Sequence, residues 1–197
     1  GRVETGTVSV LLPAGPSVRR DVEHVLRSHR DGAVRVHLLD TAERHRAYRA
    51  SVLALACCGT VNVELALAAT PQVAAWRANW LTHLIVRRVL RPTVPHATLP
   101  NLLAHHQRHG TLAGISSGAI IDECLFERCA AGPIAEAALR LLTCRAAAAR
   151  QVAALSDVAE GLTALDDAGA AVLPSTLAAR ALLRHVRQRF PEHCVHL

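Results

Sequence analysis

The sequence predicts an α/β fold: a Rossmann-like parallel sheet flanked by helices, with a helical C-terminal extension. Two observations predict it. Short aliphatic or β-branched runs alternate with helix-spaced segments up to Leu90, and the connections between them are short, as in doubly wound sheets. Beyond Ile120 the pattern is almost wholly helical and Ala-rich.

Taken in order, TVSVLLP (7–13) is a β-branched run stopped by Pro and reads as a buried strand. PSVRRDVEHVLRSH places Val18, Val22, Val25 and Leu26 on one helical face, with Ser17 as the expected cap. AVRVHLLD is a second strand and TAERHRAYRAS a short polar helix. VLALA (52–56) is apolar throughout, as expected for the middle of a parallel sheet. GTVNVELALAAT is a helix, PQVAAW a fourth strand, and NWLTHLIVRRVL another helix. RPTVPHATLPN carries three prolines and should be extended or turning. LLAHHQRHGTLAGISSGA opens as a helix and runs into a Gly/Ser loop. Helices are expected over 120–127, 133–143 and 145–165, and over 174–190 with Ser175 as cap. The expected domains are 1–145, the sheet unit, and 146–197, the helical segment.

Composition narrows the partners. The 197 residues are 51% hydrophobic and 19% charged, which argues for a packed core and against disorder. All 22 basic residues are Arg, a bias that fits a GC-rich coding sequence. The net charge of +6 suits phosphates, nucleic acid or anionic lipid. Aromatics are only 3%, and no basic run is interleaved with stacking residues, so nucleic acid is not an expected partner. No apolar run reaches the roughly 20 residues that span a bilayer. The chain opens on Gly without a signal peptide and contains no Met, which suggests a processed chain or a piece of something longer. The six Cys lack zinc-type spacing and read as buried free thiols. His105, His106 and His109 fall in a polar stretch before Gly110 and read as a solvated loop rather than a metal site. No metal and no cofactor is expected.

The segment CCGTVNVELALA (57–68) carries the candidate site. A helix starting after a parallel strand presents unpaired N–H groups toward the crevice where such sheets bind ligands. Gly59 permits close backbone approach and Thr60 adds a hydroxyl. Glu64 lies one turn along on the same face, where a carboxylate can hold the diol of a ribose. The same pattern also fits an ordinary helix cap followed by an exposed acid.

The order and spacing of further segments resolve this choice by likeness. Gly59, Thr60 and Glu64 are followed by Pro71, by Trp76-Arg77, by an amphipathic helix and by Leu99-Pro100-Asn101. This succession resembles the carboxyl-terminal half of the lipid-A-disaccharide synthase family, most closely over 51–104. The resemblance implies one half of a two-Rossmann-domain (GT-B) glycosyltransferase, the half that binds the donor. The implied reaction joins UDP-2,3-diacylglucosamine to a diacylglucosamine 1-phosphate, inverts the anomeric centre, releases UDP and needs no metal. Gly59, Thr60, Glu64, Arg77 and Asn101 are the implied UDP-binding or substrate-binding residues. The family's catalytic acid belongs to an amino-terminal half this chain lacks, so no catalytic residue is expected here. A homodimer is implied, as is peripheral contact with the cytoplasmic face of the bacterial inner membrane, or an organellar location such as the mitochondrion in a plant or alga.

Three features depart from the family pattern: Cys58 stands where Ser is usual, Trp76 where Tyr is usual, and HHQRHGTLAGISSGA reads as an insertion. NWLTHLIVRRVLRP fits a core-facing helix with a basic outer side, or a helix lying on a membrane. Two rivals stand beside the glycosyltransferase: another UDP-sugar enzyme of the same fold, and a non-catalytic or degenerate nucleotide-sugar-binding module.

Overall fold

A computed structural model describes residues 8–28, 34–77, 96–111, 118–162, 169–170 and 172–189. The expected helix NWLTHLIVRRVL lies outside the described residues.

Strand β1 (Val8–Ala14), helix α1 (Pro16–Ser28) and strand β2 (Val34–Asp40) form the first unit, with β1 and β2 parallel and Val8 level with Val34. The helix begins two residues earlier than a Ser17 cap predicts. Pro16 is preorganised for a first helical position, and the N–H groups of Val18 and Arg19 donate to Gly15 O, so Ser17 lies inside the first turn. Asp40 ends β2 and caps a 3-10 turn at Thr41–Glu43 by accepting from Ala42 N at 2.9 Å. Helix α2 (Arg44–Ala50) follows.

Strand β3 (Ala54–Ala56), helix α3 (Val61–Leu67) and strand β4 (Gln72–Trp76) form the second unit, with Ala56 level with Ala74. Helix α4 (Leu99–His109) then leads to strand β5 (Asp122–Leu125), which pairs parallel with β4. Helices α5 (Ala131–Thr143), α6 (Arg145–Glu160) and α7 (Pro174–Arg189) complete the described chain. In α7 the N–H groups of Thr176 and Leu177 donate to Leu173 O, so Ser175 too sits within the first turn instead of capping it.

Four expectations are corrected. The run 120–127 holds a strand and not a helix; it is covered on both faces, so its apolar residues show no alternation that would separate strand from helix. Leu99-Pro100-Asn101 is not extended, because Pro100 occupies the first helical turn, where no N–H is needed. His105, His106 and His109 lie on α4 rather than in a loop, and α4 ends where Gly110 takes φ 70° and donates to His106 O. VLALA does not occupy the middle of its sheet: the order is β3-β4-β5, with β4 central and β3 at the edge.

The chain divides into two compact units, Gly1–Ser156 and Asp157–Leu197, so the division falls inside α6. The β3-β4-β5 sheet of the first unit is covered on both faces. On one, Ala66 of α3, Ala74, Ile121 and Leu155 of α6 pack together. On the other, Val73 and Cys124 pack against Ala137 and Leu141 of α5.

Through the first of these layers runs a chain of buried amides. Asn62 Nδ2 donates to Gln72 Oε1 at 3.0 Å, and Gln72 Nε2 returns a bond to Asn62 O at 3.0 Å. Gln72 N donates to Gln151 Oε1 at 2.7 Å, while Gln151 Nε2 donates to Gln72 O and Ile120 O. Asn62 and Gln72 are wholly buried. Gln151→Leu keeps the volume but strands the Gln72 N–H and two carbonyls. It is expected to cost roughly 3 kcal/mol, read as a lower urea midpoint at unchanged m-value; an unchanged midpoint removes this chain from the stability account.

Candidate functional site

The carboxyl ends of β3 and β4 leave the sheet side by side. Ala56, the last paired residue of β3, lies level with Ala74, so the segment 57–60 after β3 and Arg77 after β4 both follow the carboxyl edge of the sheet. Thr60 has helical φ,ψ of −64°,−25° and its hydroxyl makes no capping bond. The cap comes from inside the helix: Asn62 Oδ1 accepts from Gly59 N at 2.9 Å, and Asn62 N donates to Gly59 O. The loop is thereby tied to the buried amide chain. Among the described residues, no hydrogen bond uses the N–H of Thr60 or Val61.

Thr60 is exposed. A Cβ built on Gly59 would meet nothing within 4 Å, so the fold does not itself demand glycine there and the space before it is open.

Glu64 is half-buried and pairs with Arg44 of α2, Nε to Oε2, at 3.1 Å. Arg44 Nη1 also donates to Thr41 O at 3.3 Å. Burial and then the charge of Glu64 raise the pKa of Tyr48, against the pull of Arg44. Arg44 and Tyr48 are therefore the immediate surroundings of the acid. They escape a motif-based reading because they come from another crossover helix, twenty positions upstream in the case of Arg44.

Arg77 is exposed just past β4. The preceding Trp76 packs edge-on against Phe126, with centroids 5.5 Å apart, at the carboxyl end of the next strand. Phe126 holds a left-handed φ of 51°, a costly conformation for a bulky residue.

Asn101 is not brought to this edge. It lies beside the amino end of β5 and is wholly buried. Its Oδ1 accepts from Ile120 N and Ile121 N, and its Nδ2 donates to Ile121 O and Glu123 Oε1, all at 2.8–2.9 Å. Every donor and acceptor of the amide is used, which leaves none for a sugar or phosphate.

Glu123, hidden in a run read as helix, gathers Ala97 N, Thr98 N, Thr98 Oγ1 and Asn101 Nδ2. Beside it the buried His96 has its pKa lowered, chiefly by desolvation, although the Glu123 charge acts the other way. Asn101→Ala is expected to lower stability by roughly 3 kcal/mol in a denaturant titration. Nucleotide affinity of the folded fraction should stay unchanged; a specific loss of affinity would restore Asn101 as a contact.

The described thiols are all free, but they are not uniformly buried: Cys124 is buried, Cys58 and Cys129 half-buried, Cys57 and Cys144 exposed. Cys58 packs against the Ala66–Leu155 layer. Burial, with smaller contributions from Glu123, Cys57 and Cys129, pushes its pKa up to about 11. The neutral thiol is the inert form. Iodoacetamide labelling of Cys58, followed by peptide mass spectrometry, is expected to be slow at neutral pH and to climb as pH approaches 11. Rapid labelling at pH 7 would contradict this environment. Among the described residues no group of three or more His, Cys, Asp or Glu is placed to hold a metal.

A Rossmann-like half-domain with an open helix start at its strand-carboxyl edge belongs to the broad class that binds ligands at that edge. The lipid-A-disaccharide synthetase family model matches residues 4–164, and the chain belongs to that family. The lipid-A-disaccharide synthase of Rhodospirillum centenum is 31% identical over 182 residues, covering 92% of this chain and 40% of the relative. That of Gluconobacter oxydans is 27% identical over 163 residues, covering 82% of this chain and 35% of the relative. A protein of Arabidopsis thaliana named as a probable mitochondrial lipid-A-disaccharide synthase is 36% identical over 112 residues, 57% of this chain and 21% of the relative. The chain thus spans well under half the length of these relatives. No described helix is long and apolar enough to cross a membrane.

Proposed function

We propose that this chain is the donor-binding part of a lipid-A-disaccharide synthase-like glycosyltransferase. It holds the UDP of UDP-2,3-diacylglucosamine while diacylglucosamine is transferred, with inversion, to a diacylglucosamine 1-phosphate. The diphosphate meets the N–H groups of Thr60 and Val61 and the Thr60 hydroxyl, Glu64 takes the ribose hydroxyls, and Arg77 offsets phosphate charge from the neighbouring strand end. Gly59 leaves the approach open, its own N–H being held by Asn62. Stabilising the UDP leaving group is the contribution this half makes to the reaction, and the catalytic acid comes from polypeptide outside the chain. Asn101 serves as a scaffold residue instead of a contact.

The observation that carries this reading is the pairing of an exposed helix start, whose first N–H groups are unused among the described residues, with a half-exposed carboxylate one turn along. Helix α3 is only seven residues long, so the bonds themselves matter more than any macrodipole. By resemblance, a homodimer and peripheral membrane contact accompany the activity. The location is the cytoplasmic face of the bacterial inner membrane, or the mitochondrion in a plant or alga.

One observation favours the second reading, a degenerate nucleotide-sugar-binding module. Cys58, where the family has Ser, is turned into the core layer as a neutral thiol and offers no hydroxyl at the site. Binding of UDP without turnover, even in a chain extended to the relatives' full length, selects that reading.

Calorimetry with Glu64→Ala tests the ribose assignment. UDP and uridine should both weaken by at least about tenfold, as for a lost bond to a charged group, while inorganic pyrophosphate keeps its affinity. UDP affinity equal to that of the unsubstituted protein rejects the assignment.

A further inference from the structure

The chain has five aromatic residues, two Trp, two Phe and one Tyr. Two of them meet at the carboxyl edge of the β3-β4-β5 sheet. Trp76 is the last residue of β4 and lies level with Leu125 of β5, so Phe126 follows directly beside it. The rings pack edge to face, with centroids 5.5 Å apart and planes at 79°. Core packing does not explain the pair. Trp76 is 38% exposed, and the buried layers on the two faces of this sheet are built from aliphatic residues and Cys124.

Phe126 holds its place at a conformational cost. Its left-handed φ of 51° is an outlier for a bulky residue. A short turn fixes it there: residues Phe126–Arg128 form a 3-10 turn, and Cys129 N donates to Phe126 O at 3.1 Å. Strain of this kind persists where the surroundings over-determine it, and it gathers at ligand sites. Here it sets a second ring against Trp76, at the edge where parallel sheets bind ligands.

The pair also lies on the sugar side of the proposed donor. Glu64 has Arg44 and Tyr48 beside it, both from α2, which precedes β3 in the chain. Trp76 and Phe126 belong to the ends of the two strands on the other side, β4 and β5. In a UDP-sugar the ribose and the hexose hang from opposite ends of the diphosphate. With the ribose at Glu64 and the diphosphate at the Gly59 turn, β4 and β5 carry the surface left for the hexose.

A gluco-configured ring suits such a surface. Its hydroxyl and acyl substituents project from the rim, and its axial C–H groups line the two faces. The electron-rich face of an indole attracts those C–H groups. The family pattern has Tyr at this position, and the change to Trp adds apolar ring area and removes a hydroxyl. Resting on the donor-binding reading, we propose that Trp76, braced by Phe126, is a specificity-determining residue that stacks on the hexosamine ring of the donor.

Calorimetry of the 197-residue chain with UDP and with UDP-N-acetylglucosamine tests this, because the two probes differ by the sugar alone. Trp76→Leu should weaken UDP-N-acetylglucosamine about three- to tenfold and leave UDP unchanged. A second measurement needs no substitution at Trp76. In a Trp80→Phe background Trp76 is the chain's one indole. UDP-N-acetylglucosamine should then shield its fluorescence from acrylamide quenching, and UDP should shield it less.

Three results would each overturn the proposal while UDP still binds and the donor-binding reading stands. One is an unchanged affinity for UDP-N-acetylglucosamine in folded Trp76→Leu. Another is an equal loss for both probes, which ties Trp76 to the nucleotide or to the fold. The last is quenching of Trp76 that responds no more to the sugar nucleotide than to UDP. Failure of UDP itself to bind the unsubstituted chain removes the donor-binding reading, and the stacking role with it.

Discussion

The geometry of the candidate site depends on the buried contact between Asn62, Gln72 and Gln151. Three primary amides in an apolar layer carry a severe desolvation cost unless their groups are matched. Here the partners include each other, the backbone of β4 and Ile120 O. The remaining acceptor of Asn62 is turned outward to Gly59 N. One residue therefore converts core order into loop order: the turn after β3 cannot shift without unpairing a bond in the core. A rigid turn at a strand end is what a site needs if its backbone N–H groups are to meet a ligand already aligned.

A second polar centre does comparable work on the other side of β4. The Glu123 carboxylate collects the N–H groups that precede α4 together with the side chains of Thr98 and Asn101. Asn101 then holds the backbone just ahead of β5. The two centres explain why a short three-stranded sheet is so specifically assembled: α3, α4 and α6 are each fixed to it by amide or carboxylate contacts whose loss would leave buried groups unpaired.

The strand-helix alternation was legible because β-branched runs and helical spacing have distinct periods, and four strands and the helices after the first three of them fall where those periods place them. The failures have separate physical causes. Ser17 and Ser175 resemble caps, but proline at the preceding position starts each helix early. The β5 run, DECL, sets one acid and one apolar residue on each face and so lacks a period. Asn101 has the chemistry of a ligand contact, and only its neighbours reveal that this chemistry is consumed internally. The edge position of β3 was illegible for another reason: VLALA carries the pattern of a central strand, and an apolar pattern reports what a strand is suited to and not its place in the order β3-β4-β5. Arg44 and Tyr48 were missed because contacts between crossover helices leave no trace in local spacing.

The ion pair between Arg44 and Glu64 gives the proposed site its remaining property. Both side chains are about a third exposed, and pairs in such surroundings contribute only about 0–1 kcal/mol. A ribose diol bonding to the carboxylate therefore competes against little, and the arginine can swing away or share the acid through its second oxygen. The Gly59 turn has no such freedom, since its anchor is buried. In the proposed complex the phosphate-facing backbone is thus fixed before the ligand arrives, and the sugar-facing acid adjusts to it. That division matches the chemistry: leaving-group charge is best met by groups that need no reorganisation, whereas a diol tolerates small changes in the position of its acceptor.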